Sequence, residues 1–233
     1  MQGNYHLADV QDLDAVKSMS RAITSWDPLL SLKVGHGESL YDGVRTCYGL
    51  NVGAETTLAF RDRKELAKTG DAIVMPPAVR VAAFPAADFV WVCHEGLAPE
   101  HLRGAAGLAM GFEHFSLALG HEDRSICGHR REVLPVTDLR HRVHYHFVEI
   151  SNPEPHLHAD MVELYYVLGG EGNVRIGPSL DQLTEVPVRA DHLLAVGPGL
   201  YHVASDGLRM CIWFLYNEAA HRRRVREAKT SSA

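Results

Sequence analysis

The chain of 233 residues is long enough for one large domain or two small ones with a buried core. Its 46% hydrophobic and 22% charged residues are ordinary for a soluble globular protein. A net charge of −6 leaves no overall electrostatic case for a nucleic-acid partner, and no apolar stretch approaches the ~18 residues of a membrane-spanning helix.

The N-terminus, MQGNYHLADVQDLDAV, has neither the basic nor the apolar region of a secretory signal, which reads as a cytoplasmic protein. Residues 7–24 carry Leu7, Val10, Leu13 and Val16 at helical spacing and predict a short N-terminal helix. From residue 29 to 96 the texture changes to short apolar runs broken by Gly, Asp and Pro: LLSLKVG, GVRTCYGLNVG, TTLAF, DAIVMPP, VRVAAF and DFVWVCHEG. That rhythm belongs to a β-sandwich or β-barrel. Residues 97–133 are rich in Gly, Ala and His; they read as a connector with a helix near 98–119, or as the source of the next unit's first strand.

Strand texture returns from residue 134 in VHYHFVEIS, ELYYVLGG, NVRIG, LTEVPV, HLLAVGPG and MCIWFLYN, with Gly-Gly-Glu-Gly at 169–172 as a hairpin turn. Glu218 to Lys229 is built of helix formers, and its HRRRVR run at 221–226 reads as a solvated face. The expected division is therefore 1–97, a connector at 98–133, and 134–233. Cys47, Cys93 and Cys211 sit in apolar strand-like runs, as reduced buried thiols do; Cys127 completes a set without any C-x-x-C.

The two halves also resemble each other. Residues 69–92 can be laid on 189–215, setting Asp71 against Asp191 and VRVA against YHVA, with a Trp-containing strand after each. That overlay puts Arg80 where His202 stands. As a cation inside the first half's pocket Arg80 would take an acidic ligand; on a loop it would be solvated.

The chemistry concentrates at residues 156–170, HLHADMVELYYVLGG. Alternate side chains of a strand share a face, so His156 and His158 project together, with Glu163 five residues further on. The later fragment GPGLYH brings His202. Three imidazoles and a carboxylate form a mixed nitrogen and oxygen set that suits a divalent first-row metal. Without a thiolate the set does not select zinc. Alternation also puts Tyr165 and Val167 on the Glu163 face, where Tyr165 is a candidate acid/base or an aromatic core filler. His144 and His146 share a face of the preceding strand as pocket or supporting groups. Leu164 and Tyr166, on the opposite face to Glu163, read as apolar surface for packing between the halves or in a dimer.

With these residues in view, the second half resembles a cupin. The first cupin motif is a glycine, five residues, H-x-H, three or four residues, E, six residues and G. His156, His158, Glu163 and Gly170 match it, with Ile150 in place of the leading glycine. The second motif is matched by Gly199 and His202; Ala190-Asp191 replaces the Gly-Asp opening, Pro198 sits one place late and Asp206 stands where Asn is usual. The first half resembles a degenerate cupin without the ligands.

The resemblance implies an all-β fold of two tandem double-stranded β-helix, or jelly-roll, barrels, with a short N-terminal helix and a partly helical connector. It implies one divalent metal held by His156, His158, Glu163 and His202: iron(II) first, with manganese, nickel, cobalt or zinc as alternatives. Four protein ligands would leave positions open for substrate or dioxygen. The leading expectation is a non-haem iron(II) dioxygenase or related oxidoreductase acting on a small oxygenated substrate. A redox-neutral isomerase, epimerase or lyase on a sugar-like substrate is the alternative, with Tyr165 shuttling the proton. A non-catalytic small-molecule-binding cupin is the third. A small-molecule substrate is the expected partner, and similar cupins often form homodimers.

Overall fold

The computed structural model describes residues 5–42, 44–95 and 111–231. It opens with strand β1 (Tyr5–Asp9), helix α1 (Leu13–Trp26) and strands β2 (Leu30–Tyr41), β3 (Arg45–Asn51) and β4 (Thr56–Phe60). Next come β5 (Arg63–Ala67), β6 (Ala72–Met75), β7 (Arg80–Glu95) and β8 (Glu113–Phe115). The later elements are β9 (His121–Ser125), β10 (Gly128–Leu134), β11 (Val143–Ile150), β12 (His156–Leu157), β13 (Met161–Gly169) and β14 (Glu171–Gly177). β15 (Thr184–Arg189), β16 (His192–Val196), β17 (Tyr201–Ala204), β18 (Arg209–Tyr216) and helix α2 (Glu218–Ser231) complete the chain.

These elements fall into two compact units. Leu13–Gly120 makes one, while β1 joins the elements from β9 to α2 in the other. In the first unit the strands run in the order β5-β4-β7-β3-β6-β8, with β2 also paired to β7. Strand alternation turns Phe89, Trp91 and Cys93 of β7 inward among Leu58, Ile73 and Met75, all buried. The Trp91 ring lies flat against β3, where a Cβ on Gly49 would stand 2.4 Å from a ring carbon; only glycine fits that approach.

The second unit packs two sheets face to face. One has the order β1-β16-β13-β18-β11-β10-β9 and the other β12-β17-β14-β15. Between them lies a core that includes Val167, Leu194, Ile212, Val174 and Val186. Each such side chain contributes about 1.5–3 kcal/mol by leaving water. The halves repeat one topology: β3 lies between β6 and β7, as β13 lies between β16 and β18. This is the all-β, tandem-barrel architecture that the sequence implies.

Several expectations are corrected. The helix expected over 7–24 begins only at Leu13 and buries Val16, Met19 and Ile23. Ahead of it, β1 pairs antiparallel with β16, from Tyr5 opposite Val196 to Asp9 opposite His192. Leu7 is 37% exposed, so its helical spacing with Val10 was coincidental. The leading segment therefore lies in the unit of the second half rather than the first.

Of the two readings of residues 97–133, the second holds: the segment supplies β9 and β10, a hairpin whose second strand pairs with β11. Residues 98–110 of its expected helix lie outside the described residues, and the described remainder holds strand β8 and a single 3-10 turn, Leu117–Leu119. Leu164 and Tyr166 are buried, with the Tyr166 hydroxyl donating to Asp191 Oδ1 at 2.6 Å, so neither offers surface for a second copy. The C-terminal basic run is an α2 face as expected, although Arg224 stacks on the Tyr216 ring, 4.0 Å from its centroid.

Because β1 is the outer neighbour of β16, removing residues 1–9 would strip one edge from the sheet that carries Glu163. Such a truncation is expected to lower Tm by roughly 5 °C or more in a thermal melt. An unchanged Tm would contradict this role for β1.

Candidate metal centre

The site is assembled from both sheets of the second unit. β12 pairs with β17 so that His156 stands directly opposite His202, while Glu163 comes from β13 in the facing sheet. His158 follows immediately after β12. The Nε2 atoms of His202 and His156 are 3.2 Å apart, His158 Nε2 is 3.2 Å from Glu163 Oε1, and His202 Nε2 is 2.8 Å from Glu163 Oε2. One donor atom from each of the four residues lies within 4.8 Å of the others. Donors about 2.1 Å from a common ion, at right angles to one another, would be about 3 Å apart, so the four positions fit one first-row metal.

Backbone hydrogen bonds fix how two of the rings present themselves. His156 Nδ1 lies 2.9 Å from the Glu154 carbonyl and His202 Nδ1 lies 3.1 Å from the Leu200 carbonyl. A carbonyl only accepts, so each Nδ1 carries a proton; the His156 Nε2 turns a lone pair into the site, while the His202 Nε2, 2.8 Å from Glu163 Oε2, donates to that carboxylate until an ion takes the place of its proton. Burial lowers the basicity of His156, which keeps that ring neutral.

Glu163 is 2% exposed. Burial alone would push its carboxyl up, but His202 and His158 beside it outweigh burial and hold it well below the usual carboxylate range. The same pairing raises His202 against the opposing effect of burial. The Tyr165 hydroxyl donates to Glu163 Oε2 at 2.5 Å. Burial first, then the Glu163 charge, pushes that phenol well above its ordinary value, so it stays protonated.

A cavity of about 170 Å³ opens beside the four side chains. Its walls include Ile212 and Phe214, together with His146, Cys127 and Arg130. His146 is 1% exposed, and neither ring nitrogen has a hydrogen-bond partner among the described residues, its Nε2 lying 3.7 Å from Glu132 Oε1. Burial, then the nearby Arg130 charge, pushes its pKa down to about 3, so the ring is neutral. Arg130 ion-pairs with Asp123 at 2.6 Å and Glu132 at 3.1 Å, while its buried Nε has no hydrogen-bond partner among the described residues. Cys127 Sγ lies 3.9 Å from His156 Nε2, and burial pushes this thiol up to about 11.

The candidates drawn from the sequence thus divide. His156, His158, Glu163 and His202 converge, Tyr165 touches Glu163, and His146 lines the cavity. His144 does not line it: its Nδ1 meets the Pro135 carbonyl at 2.7 Å and its Nε2 lies 3.3 Å from Arg224. Arg80 belongs to the other unit, where its exposed side chain reaches Ser39 Oγ at 3.5 Å and its neighbour Val81 is fully buried. An overlay that sets Arg80 against the inward His202 is therefore a residue out of phase with the strand.

Sequence reasoning missed Arg130 and Cys127, which lie in the supposed connector; the alternation of Gly128, Arg130 and Glu132 was the available signal. The departures from the cupin motifs leave the ligands in place. Asp191 takes the left-handed conformation usual for glycine, with φ 69°, and Asp206 Oδ1 accepts the Asn152 N–H at 2.6 Å.

No protein-family model matches the sequence, and no curated protein matches it. Solved structures do match. HEPD of Streptomyces albus, with 2-hydroxyethylphosphonate and Fe(II) bound, superposes with a TM-score of 0.64 at 10% identity over 97% of this chain and 79% of that one. The E. coli protein YlbA gives 0.59 at 11% identity over 92% of this chain and 91% of its own. Hazelnut (Corylus avellana) vicilin gives 0.54 at 14% identity over 80% and 74% of the two chains. Identities this low speak for the fold and leave the activity open. The chain thus shares the fold of bicupins, two cupin-type barrels in tandem.

Proposed function

We propose that this bicupin is a metal-dependent enzyme whose second barrel binds one divalent ion through His156, His158, Glu163 and His202, and that it acts as an iron(II) dioxygenase or related oxidoreductase on a small oxygenated substrate. The observation that carries this reading is the convergence of three imidazoles and one buried carboxylate at the wall of a cavity. A set of four donors leaves room in a six-coordinate sphere, as an open catalytic site requires and a closed structural one does not. HEPD, which shares the fold, holds substrate and Fe(II) together. When bound, iron(II) would supply a Lewis acid for a substrate oxygen and a place for dioxygen.

The chain's own residues set what that cavity accepts. Its 170 Å³ suits a small molecule, and Ile212 and Phe214 exclude water from one side. His146, neutral and without a hydrogen bond though its Nε2 lies 3.7 Å from Glu132 Oε1, offers one N–H donor and one acceptor to a substrate polar group, and Arg130 offers its buried Nε–H. Tyr165 acts by positioning: its O–H holds Glu163 Oε2 and keeps the carboxylate oriented. That commitment counts against the isomerase or lyase alternative, which needs this phenol free to move a proton.

Anaerobic loading with iron(II), followed by metal analysis, is expected to give one ion per chain, with a loss of affinity of at least tenfold in His158→Ala. Oxygen-electrode screening of small hydroxy and oxo compounds should then find substrate-dependent oxygen uptake, with KM raised more than kcat is lowered in His146→Ala. Turnover without oxygen consumption would transfer the reading to the isomerase or lyase, and metal binding without turnover to a binding protein.

Metal affinity also carries a pH signature. A ligand imidazole must be neutral, and Glu163 holds His202 protonated above the ordinary value of 6.5. Affinity should therefore still be rising as pH passes above 6.5 in calorimetric titrations. In Glu163→Gln, which removes the charge raising His202, the inflection should move to lower pH; an inflection that stays in place would refute the coupling.

A further inference from the structure

The first barrel lacks the histidines, but its strand register places other chemistry where the second barrel has its carboxylate. Glu163, the third residue of β13, stands opposite Val196 and Phe214. Cys47, the third residue of β3, stands opposite Met75 and Cys93 in the corresponding pairings. Both thiols are free and fully buried, and their Sγ atoms are 2.9 Å apart. Directly opposed residues of antiparallel strands have Cα atoms about 4.5–5.5 Å apart, inside the ~4.4–6.8 Å range that a disulfide spans. The pair could therefore be joined without moving the backbone.

Asp42 completes a potential metal cluster with these thiols, yet it is already committed. Its Oδ1 accepts the N–H groups of Val44 and Arg45, and its Oδ2 accepts Lys33 Nζ together with Arg45 Nε and an Arg45 terminal nitrogen. Two sulfurs alone fall short of a closed metal site. Covalent chemistry between the sulfurs is the better use of this geometry.

We propose that Cys47 and Cys93 form a redox-active dithiol which hydrogen peroxide, or a hydroperoxide of similar size, closes to an intramolecular disulfide. A water-sized oxidant suits a buried pair. Cys93 is the attacking sulfur: the Cys47 thiol donates to it and, with Lys33 and Arg45 nearby, holds it below the usual thiol range against burial, whereas Cys47 itself is pushed up. Cys93 Sγ attacks one peroxide oxygen, the O–O bond breaks, and hydroxide leaves as water, giving a sulfenic acid. Cys47 Sγ then attacks Cys93 Sγ, the S–O bond breaks, and a second water carries off the Cys47 proton. Two thiols lose two electrons and one peroxide becomes two waters.

The test uses the full wild-type chain, metal-free so that no metal-driven peroxide chemistry intervenes. After exposure to hydrogen peroxide and quenching, denatured protein is alkylated with N-ethylmaleimide and read by intact mass and peptide mapping. Of the four cysteines, the expected result is two alkylated, with a cross-linked peptide pair containing Cys47 and Cys93 that disappears on reduction. Cys93→Ser should abolish the cross-link and leave Cys47 alkylated, while the wild-type map stands by itself if that variant does not fold. Four labelled cysteines, Cys93 ending as sulfinic acid without a cross-link, or a cross-link through Cys127 would each overturn the proposal.

Discussion

A carboxylate buried to the depth of Glu163 keeps its charge only if other groups return what water no longer supplies. In this chain His158, His202 and the Tyr165 hydroxyl do so, at 3.2, 2.8 and 2.5 Å. The arrangement joins the two sheets of the second unit, because Glu163 belongs to one and His202 to the other. An unpaired charge at that depth would cost several kcal/mol, so the site and the barrel around it depend on each other. A divalent ion would satisfy the same carboxylate in place of the His202 proton, and the inward lone pair of His156 faces the same point.

Around that centre the fold separates positioning from selection. The pairing of His156 with His202 across β12 and β17, and the backbone carbonyls behind both rings, set the direction of the ligand nitrogens. The cavity wall is built instead from β10, β11 and β18, where His146, Arg130, Ile212 and Phe214 stand. On the proposed function, substitutions in this wall would change what is bound without touching the four ligands. The first barrel keeps the same strand order with a different occupant, a pair of thiols at the carboxylate's strand position.

Much of this was legible in the chain because strand alternation is a local rule. His156, His158 and Glu163 lie within eight residues, and the glycine turns around them mark the hairpin. What the sequence did not disclose depends on pairings distant along the chain. The five residues of β1 carry no pattern of their own, and their partner β16 lies far along the chain. β9 and β10 are dominated by charged side chains, so they read as connector although they complete the sheet. Arg80 was set a residue out of phase because an overlay of letters does not know which face a strand buries. The opposition of Cys47 to Cys93 likewise follows from register alone.

The claim on which the rest turns is that four named side chains share one ion. Anomalous diffraction from a crystal of the iron(II)-loaded protein measures this directly. The account expects a single peak in the second barrel, about 2.0–2.3 Å from the Nε2 atoms of His156, His158 and His202 and from a Glu163 oxygen. A peak that excludes Glu163 or any of the three imidazoles, or no peak at full iron loading, would contradict it.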